Sequence, residues 1–127
     1  MSKKIRYLLI AGFLSGGLAV ILGAFGAHMM HETLVRNGRL ETYRTAVTYQ
    51  FVHSMALILT AILYHFFPSR LIYVSALLFL AGIVLFSGSL YILSFNGNII
   101  YGILTPAGGL CFISAWLLPV LAFIKKQ

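Results

Sequence analysis

Polar side chains interrupt this chain so rarely, and at such wide spacing, that its pattern is one of long apolar runs separated by short polar joints. Four runs, 7–27, 46–67, 71–95 and 99–124, reach the roughly 20 residues that a helix rising 1.5 Å per residue needs to cross the hydrocarbon of a bilayer. None of them contains Lys, Arg, Asp or Glu. Between the first two lies the one substantial polar stretch, HMMHETLVRNGRLETYRT, from His28 to Thr45. There Met30, Leu34 and Val35 keep a helical period up to Asn37-Gly38, a left-handed helix stop. Leu40, Tyr43 and Val47 then resume it, which predicts a short amphipathic surface helix and, after it, a long second span that starts near Arg39. Pro68-Ser69-Arg70 predicts a tight turn with Ser69 capping the third helix, and Asn96-Gly97-Asn98 predicts the other. In the fourth run Pro106 removes a backbone bond and Gly108-Gly109 loosens the next turn, so a kink or local unwinding is predicted near Thr105. These elements make the fold class all-α: a single domain over residues 1–127, an integral-membrane antiparallel bundle of four transmembrane helices.

The first run also carries small residues at helical spacing. Ser15, Ala19, Gly23 and Ala27 fall four apart, with Gly12 and Gly16 on an adjoining row. Lipid offers little hydrophobic drive between helices, so contact there comes from small residues that let backbones approach and from polar groups that bond across. The first helix is therefore predicted to be central and to touch several others. Lys3, Lys4 and Arg6 before an apolar run resemble the start of a secretory signal, but Tyr7–Ala27 exceeds the roughly 7–15 residues of a signal core. It is expected to be a retained span.

Composition agrees with the pattern: 61% of the residues are hydrophobic and 9% charged, too little polar surface for a water-soluble domain of this length. A net charge of +7 raises nucleic acid as a partner, yet the Lys and Arg residues sit at span ends and in turns, with no basic stripe among aromatics. They read as charges that orient the chain and meet membrane lipids. With the N-terminus inside, Lys3, Lys4, Arg6, Arg70, Lys125 and Lys126 lie on the cytoplasmic side against Arg36, Arg39 and Arg44 outside, which favours both termini in the cytoplasm. Cys111 is the only cysteine, so there is no intrachain disulfide and no thiolate metal cluster.

An up-and-down topology gathers most of the intramembrane polar residues at one end: His28, with His31 beyond it, Gln50, His53 and Ser54, Ser87, Ser89 and Tyr91, and Thr105 beside Pro106. Gln50 and His53 are three apart, on one side of the second helix, and are expected to look toward His28 and the third helix. The plain reading is interhelical bonding, because an unpaired polar group in lipid costs several kcal/mol. The competing reading is a ligand or proton site, since intramembrane ionisable groups are functional candidates. The spacing of His28, His53 and Glu41 supports no zinc site, and neither a metal nor a cofactor is expected. No span carries the acidic residue that a proton-coupled cation exporter uses, and no Ser-His-Asp set, HExxH, Walker loop or dinucleotide fingerprint appears. An enzyme is not expected.

GAFGAH (Gly23 to His28), TAVTYQFVHSMAL (Thr45 to Leu57), FSGSLY (Phe86 to Tyr91) and TPAGGLCFISAW (Thr105 to Trp116) occur in that order. Together they resemble the small membrane family known as domain of unknown function 423, related to the eukaryotic transmembrane protein 256. The likeness covers nearly the whole chain, with Ser114 where a glycine is expected. It implies a four-helix protein of bacterial-type inner membranes, with no assigned activity or catalytic residues. The leading expectation is a non-enzymatic accessory or membrane-stabilising component, in a homo-oligomer or beside a larger complex. The alternative is a carrier or binding site for a small solute, lipid or quinone, with His53 and Gln50 as polar contacts and the Pro106, Gly108, Gly109 region as its flexible wall.

Overall fold

In the computed structural model, which describes residues 1–97 and 100–125, the chain forms five helices: α1 (Lys3–Ala27), α2 (His31–Arg36), α3 (Leu40–Phe66), α4 (Arg70–Asn96) and α5 (Ile100–Ile124). All but α2 are long and apolar enough to cross a membrane. The expected Asn98, the Ile99 start of the fourth span and Lys126 lie outside the described residues.

Local chemistry sets the boundaries. Ser2 accepts from the Ile5 amide at the start of α1, and Ser69 accepts from that of Leu71 at the start of α4, each satisfying a free helix N–H. At the end of α2, Gly38 takes the left-handed conformation (φ +63°). Its N–H donates to Val35 O, and Arg39 N–H donates to Leu34 O, the paired bonds of a Schellman stop. Leu34, fully buried, holds the short helix against the bundle. Gly97 (φ +65°) closes α4 in the same conformation.

The centre of the molecule is the α3–α4 hairpin. Half of the most apolar window of α3 is buried inside the protein, against 17% for α1. The backbone of α1 lies chiefly against α3 and that of α5 chiefly against α4, while aromatic side chains of α3 also reach α5. This corrects the expectation that α1 is central. Its small residues form a groove for one partner: a Cβ on Gly12 would lie 2.6 Å from Ile58, and one on Gly23 would lie 3.2 Å from Val47. Gly26 is pressed against the Tyr43 ring, while Ala27 is exposed. The contact row is Gly12, Gly16, Ala19, Gly23 and Gly26. At 3.6 residues per turn, steps of four drift by about 40° each, so the row from Ser15 to Ala27 rotates off the interface.

Both α4 and α5 depart from a regular bond pattern, α5 at its prolines and α4 at a π turn. α5 is helical throughout, Pro106 and Pro119 included, so of the kink or local unwinding expected near Thr105 the unwinding does not occur. Each proline deprives the carbonyl four residues back of its partner. Pro106 does this to Gly102, at an open position. For Pro119 the carbonyl is that of Ala115, which accepts a hydrogen bond from the Ser75 hydroxyl of α4 at 2.6 Å, the kind of repair by a neighbouring helix that lets proline persist in a membrane span. α4 in turn contains a π-helical turn, Ile83–Ser87, where Gly88 N–H donates to Ile83 O. Gly108 sits against the Phe86 backbone there so closely that a Cβ would collide with it, and Gly82 faces the Phe112 ring at 2.5 Å from where its own Cβ would stand.

Candidate functional site

Gln50, on the buried side of α3, is the hub of the polar interior. Its Nε2 donates to the Ser15 carbonyl of α1 at 3.0 Å, and its Oε1 accepts from the Tyr91 hydroxyl of α4 at 2.7 Å. One turn further along α3, the Ser54 and Ser15 hydroxyls share a hydrogen bond at 2.7 Å, and Ser54 Oγ also reaches the Gln50 carbonyl at 2.6 Å. Toward the other end, Tyr43 donates to Leu22 O of α1 at 2.6 Å, and its ring meets Tyr91 edge to face at 5.3 Å. An unbroken chain of polar contacts therefore ties α1 to α3 and α3 to α4. Each such bond between membrane helices is worth roughly 0.6–2 kcal/mol.

A second link joins α4 to α5, where the Ser89 and Thr105 hydroxyls lie 2.8 Å apart and Ser89 donates to Phe86 O. His53 belongs to neither. Its ring stacks on Phe112 at 3.5 Å with 12° between planes, flanked by Tyr49, Phe79 and Trp116. Its Nδ1 lies 2.7 Å from the Tyr49 carbonyl; a carbonyl only accepts, so Nδ1 carries the proton of that bond. No partner for Nε2 is found among the described residues. Phe79 and Trp116 also wall an apolar groove of about 500 Å³ with Ala56, Thr60 and Pro119.

The polar residues read from the sequence thus separate. Gln50 and Tyr91 are bonded together, Ser89 and Thr105 form their own pair, and His53 stands in an aromatic stack directed at α5 rather than at His28. His28 is exposed and takes part in none of these contacts. Ser87 is 1% exposed and is the one buried side-chain polar atom among the described residues without a partner. Ser54, Thr60 and Ser94 each donate to the carbonyl four residues back; in the π turn the corresponding carbonyl, Ile83 O, is aimed one residue further on, at Gly88 N–H. Pro106 is exposed, and a Cβ on Gly109 would meet nothing nearer than Phe86 at 3.9 Å, whereas Gly108 is pressed against the Phe86 backbone of α4. Ser114 faces outward, so its hydroxyl costs α5 no packing. Sequence reasoning did not single out Tyr43 or Ser75 as bonding groups, and it took Ser15 as packing only. For Ser75 the signal was Pro119, whose position requires a donor for Ala115 O. Among the described residues, no three His, Cys, Asp or Glu side chains converge on a metal-sized site.

Helices of this length and polarity, joined through such bonds, define a multi-pass α-helical membrane protein. The chain belongs to the family described as Protein of unknown function (DUF423), whose model matches residues 22–109. It is 39% identical over 125 residues to the UPF0382 membrane protein YwdK of Bacillus subtilis (strain 168), covering 94% of this chain and 98% of that one. It is 35% identical over 124 residues to the UPF0382 inner membrane protein YgdD of Escherichia coli (strain K12), covering 96% and 92%. A third relative, the UPF0382 membrane protein SSP2132 of Staphylococcus saprophyticus, is 39% identical over 120 residues, covering 94% and 98%. No solved structure matches the chain significantly.

Proposed function

We propose that this protein is a non-enzymatic accessory or membrane-stabilising component of the bacterial inner membrane, with both termini cytoplasmic, acting through its helix faces as a homo-oligomer. The observation that carries this reading is the Gln50 amide, both ends of which are taken up in holding α1 and α4 to α3; the intramembrane polarity serves assembly. One face open to a partner is the outer side of α1. There Gly17, Ala24 and Ala27 are exposed, and nothing lies within 4 Å of a Cβ placed on Gly17.

Native mass spectrometry from lipid nanodiscs tests the reading. The wild type is expected as an oligomer, and Gly17→Leu, which meets no neighbour within the protomer, is expected to release monomers at unchanged thermal stability. A wild type that is monomeric throughout would refute it. For the orientation, single-cysteine labelling in a Cys111→Ser background that reached Arg36→Cys and Lys125→Cys from the same side would contradict two tails on one face. The carrier reading has one observation in its favour, the His53 Nε2, without a partner among the described residues and next to the Phe79 and Trp116 rings that wall the groove. Saturable quinone or lipid binding that His53→Ala abolishes without loss of thermal stability would put that reading first.

A further inference from the structure

The chain has two acidic residues, Glu32 and Glu41, and Glu41 is taken by Arg44 at 2.8 Å. Arg39, at the corner between α2 and α3, is half-buried, yet its guanidinium meets no carboxylate among the described residues. A guanidinium without a carboxylate partner is free to pair with a bound anion. Arg39 does not stand on a bare surface. It lines a cavity of about 270 Å³ with Asn37 from the end of α2 and Ser94, Asn96 and Gly97 from the end of α4. Ser94 Oγ already donates to Leu90 O, but the Asn37 and Asn96 amides each bring N–H donors, and Arg39 brings a planar fork suited to two oxygens of one group. α3 begins here without a capping side chain, so the positive end of its dipole adds to the same field.

The cavity falls below the roughly 300–1,000 Å³ of drug-sized pockets, and it lies where α3 and α4 both leave the hydrocarbon, the level of lipid headgroups. Its chemistry is that of a phosphate receptor: one cation with a bidentate fork, amide donors around it, and no carboxylate to repel an anion. We propose that the cavity formed by Arg39, Asn37 and Asn96 binds the phosphate of an anionic phospholipid headgroup, tying the α2–α3 corner and the end of α4 to the membrane surface.

The test uses the full chain in non-ionic detergent, with bound lipid counted by native mass spectrometry during titration with phosphatidylglycerol, with phosphatidylcholine, and with inorganic phosphate as competitor. Arg39→Gln is expected to weaken phosphatidylglycerol binding by about tenfold, as loss of a charge-assisted bidentate contact does. Arg36→Gln, which removes an exposed charge of α2 from outside the cavity, is expected to leave binding within about twofold, because solvent screens it. Asn96→Ala, which leaves α3 untouched, is expected to weaken binding as well and replaces Arg39→Gln if that variant does not fold. Equal losses in Arg36→Gln and Arg39→Gln would reduce the effect to diffuse charge and overturn the site. So would phosphatidylcholine bound as tightly as phosphatidylglycerol. Displacement of the lipid by inorganic phosphate at equal concentration would assign the cavity to the free ion and overturn the lipid claim.

Discussion

Ser75 and Ser87 are both hydroxyls inside α4, both almost fully buried, and their surroundings give them opposite energetic signs. Ser75 supplies the donor that Pro119 took away from Ala115 O, so Ser75→Ala leaves a buried carbonyl unpaired and is expected to cost about 1–3 kcal/mol. Ser87 is desolvated and finds no hydrogen-bond partner among the described residues; removing its hydroxyl relieves that penalty, and Ser87→Ala is expected to be neutral or to stabilise by about 1 kcal/mol. Thermal unfolding of the two variants in one detergent checks both. Destabilisation by Ser87→Ala would contradict the orphaned hydroxyl. At this scale the sequence shows which residues are polar inside a span, and Gln50 was legible for that reason. It does not show whether a hydroxyl bonds to its own helix, to a neighbour or to nothing, because that depends on helix rotation. Tyr43 went unread because an aromatic on a periodic face looks like packing until the Leu22 carbonyl is found opposite its oxygen.

Among the helices, length, caps and stops were legible, because they depend on local chemistry: Ser69, Gly38 and Gly97 do in the structure what their types and positions imply. Interface rows were legible only in part. A step of four residues looks regular in sequence but precesses around a straight helix, so Gly26 rather than Ala27 meets Tyr43. The π turn was not legible at all, since it arises where Gly108 of α5 crowds the Phe86 backbone of α4, a fact about two helices at once. Gly108→Ala is accordingly expected to destabilise by about 1–3 kcal/mol through overpacking against backbone that has no room to move. Gly102→Ala on the same helix, with nothing within 4 Å, is expected to be tolerated. The comparison needs only the two unfolding curves, and equal losses would show that α4 and α5 do not meet at Gly108.

For the whole molecule, four spans and a surface helix were readable because the hydrocarbon imposes length and composition on any segment that crosses it. The order in which the spans pack was not, because apolar helices carry little information about their neighbours. That order rests on a few polar bonds and close glycine contacts, with α3 as the member that reaches both α1 and α4. If the intramembrane polar groups act as links between helices, the strongest of them should be coupled. The most direct measurement is a double-mutant cycle between Gln50→Leu and Tyr91→Phe, read from reversible unfolding in lipid or mixed micelles. A coupling of about 0.6–1.7 kcal/mol, the span found for hydrogen bonds between membrane helices, is expected from the 2.7 Å contact. Strictly additive effects of the two substitutions would mean that Gln50 and Tyr91 do not bridge α3 and α4, and the polar interior would not be what holds the spans together.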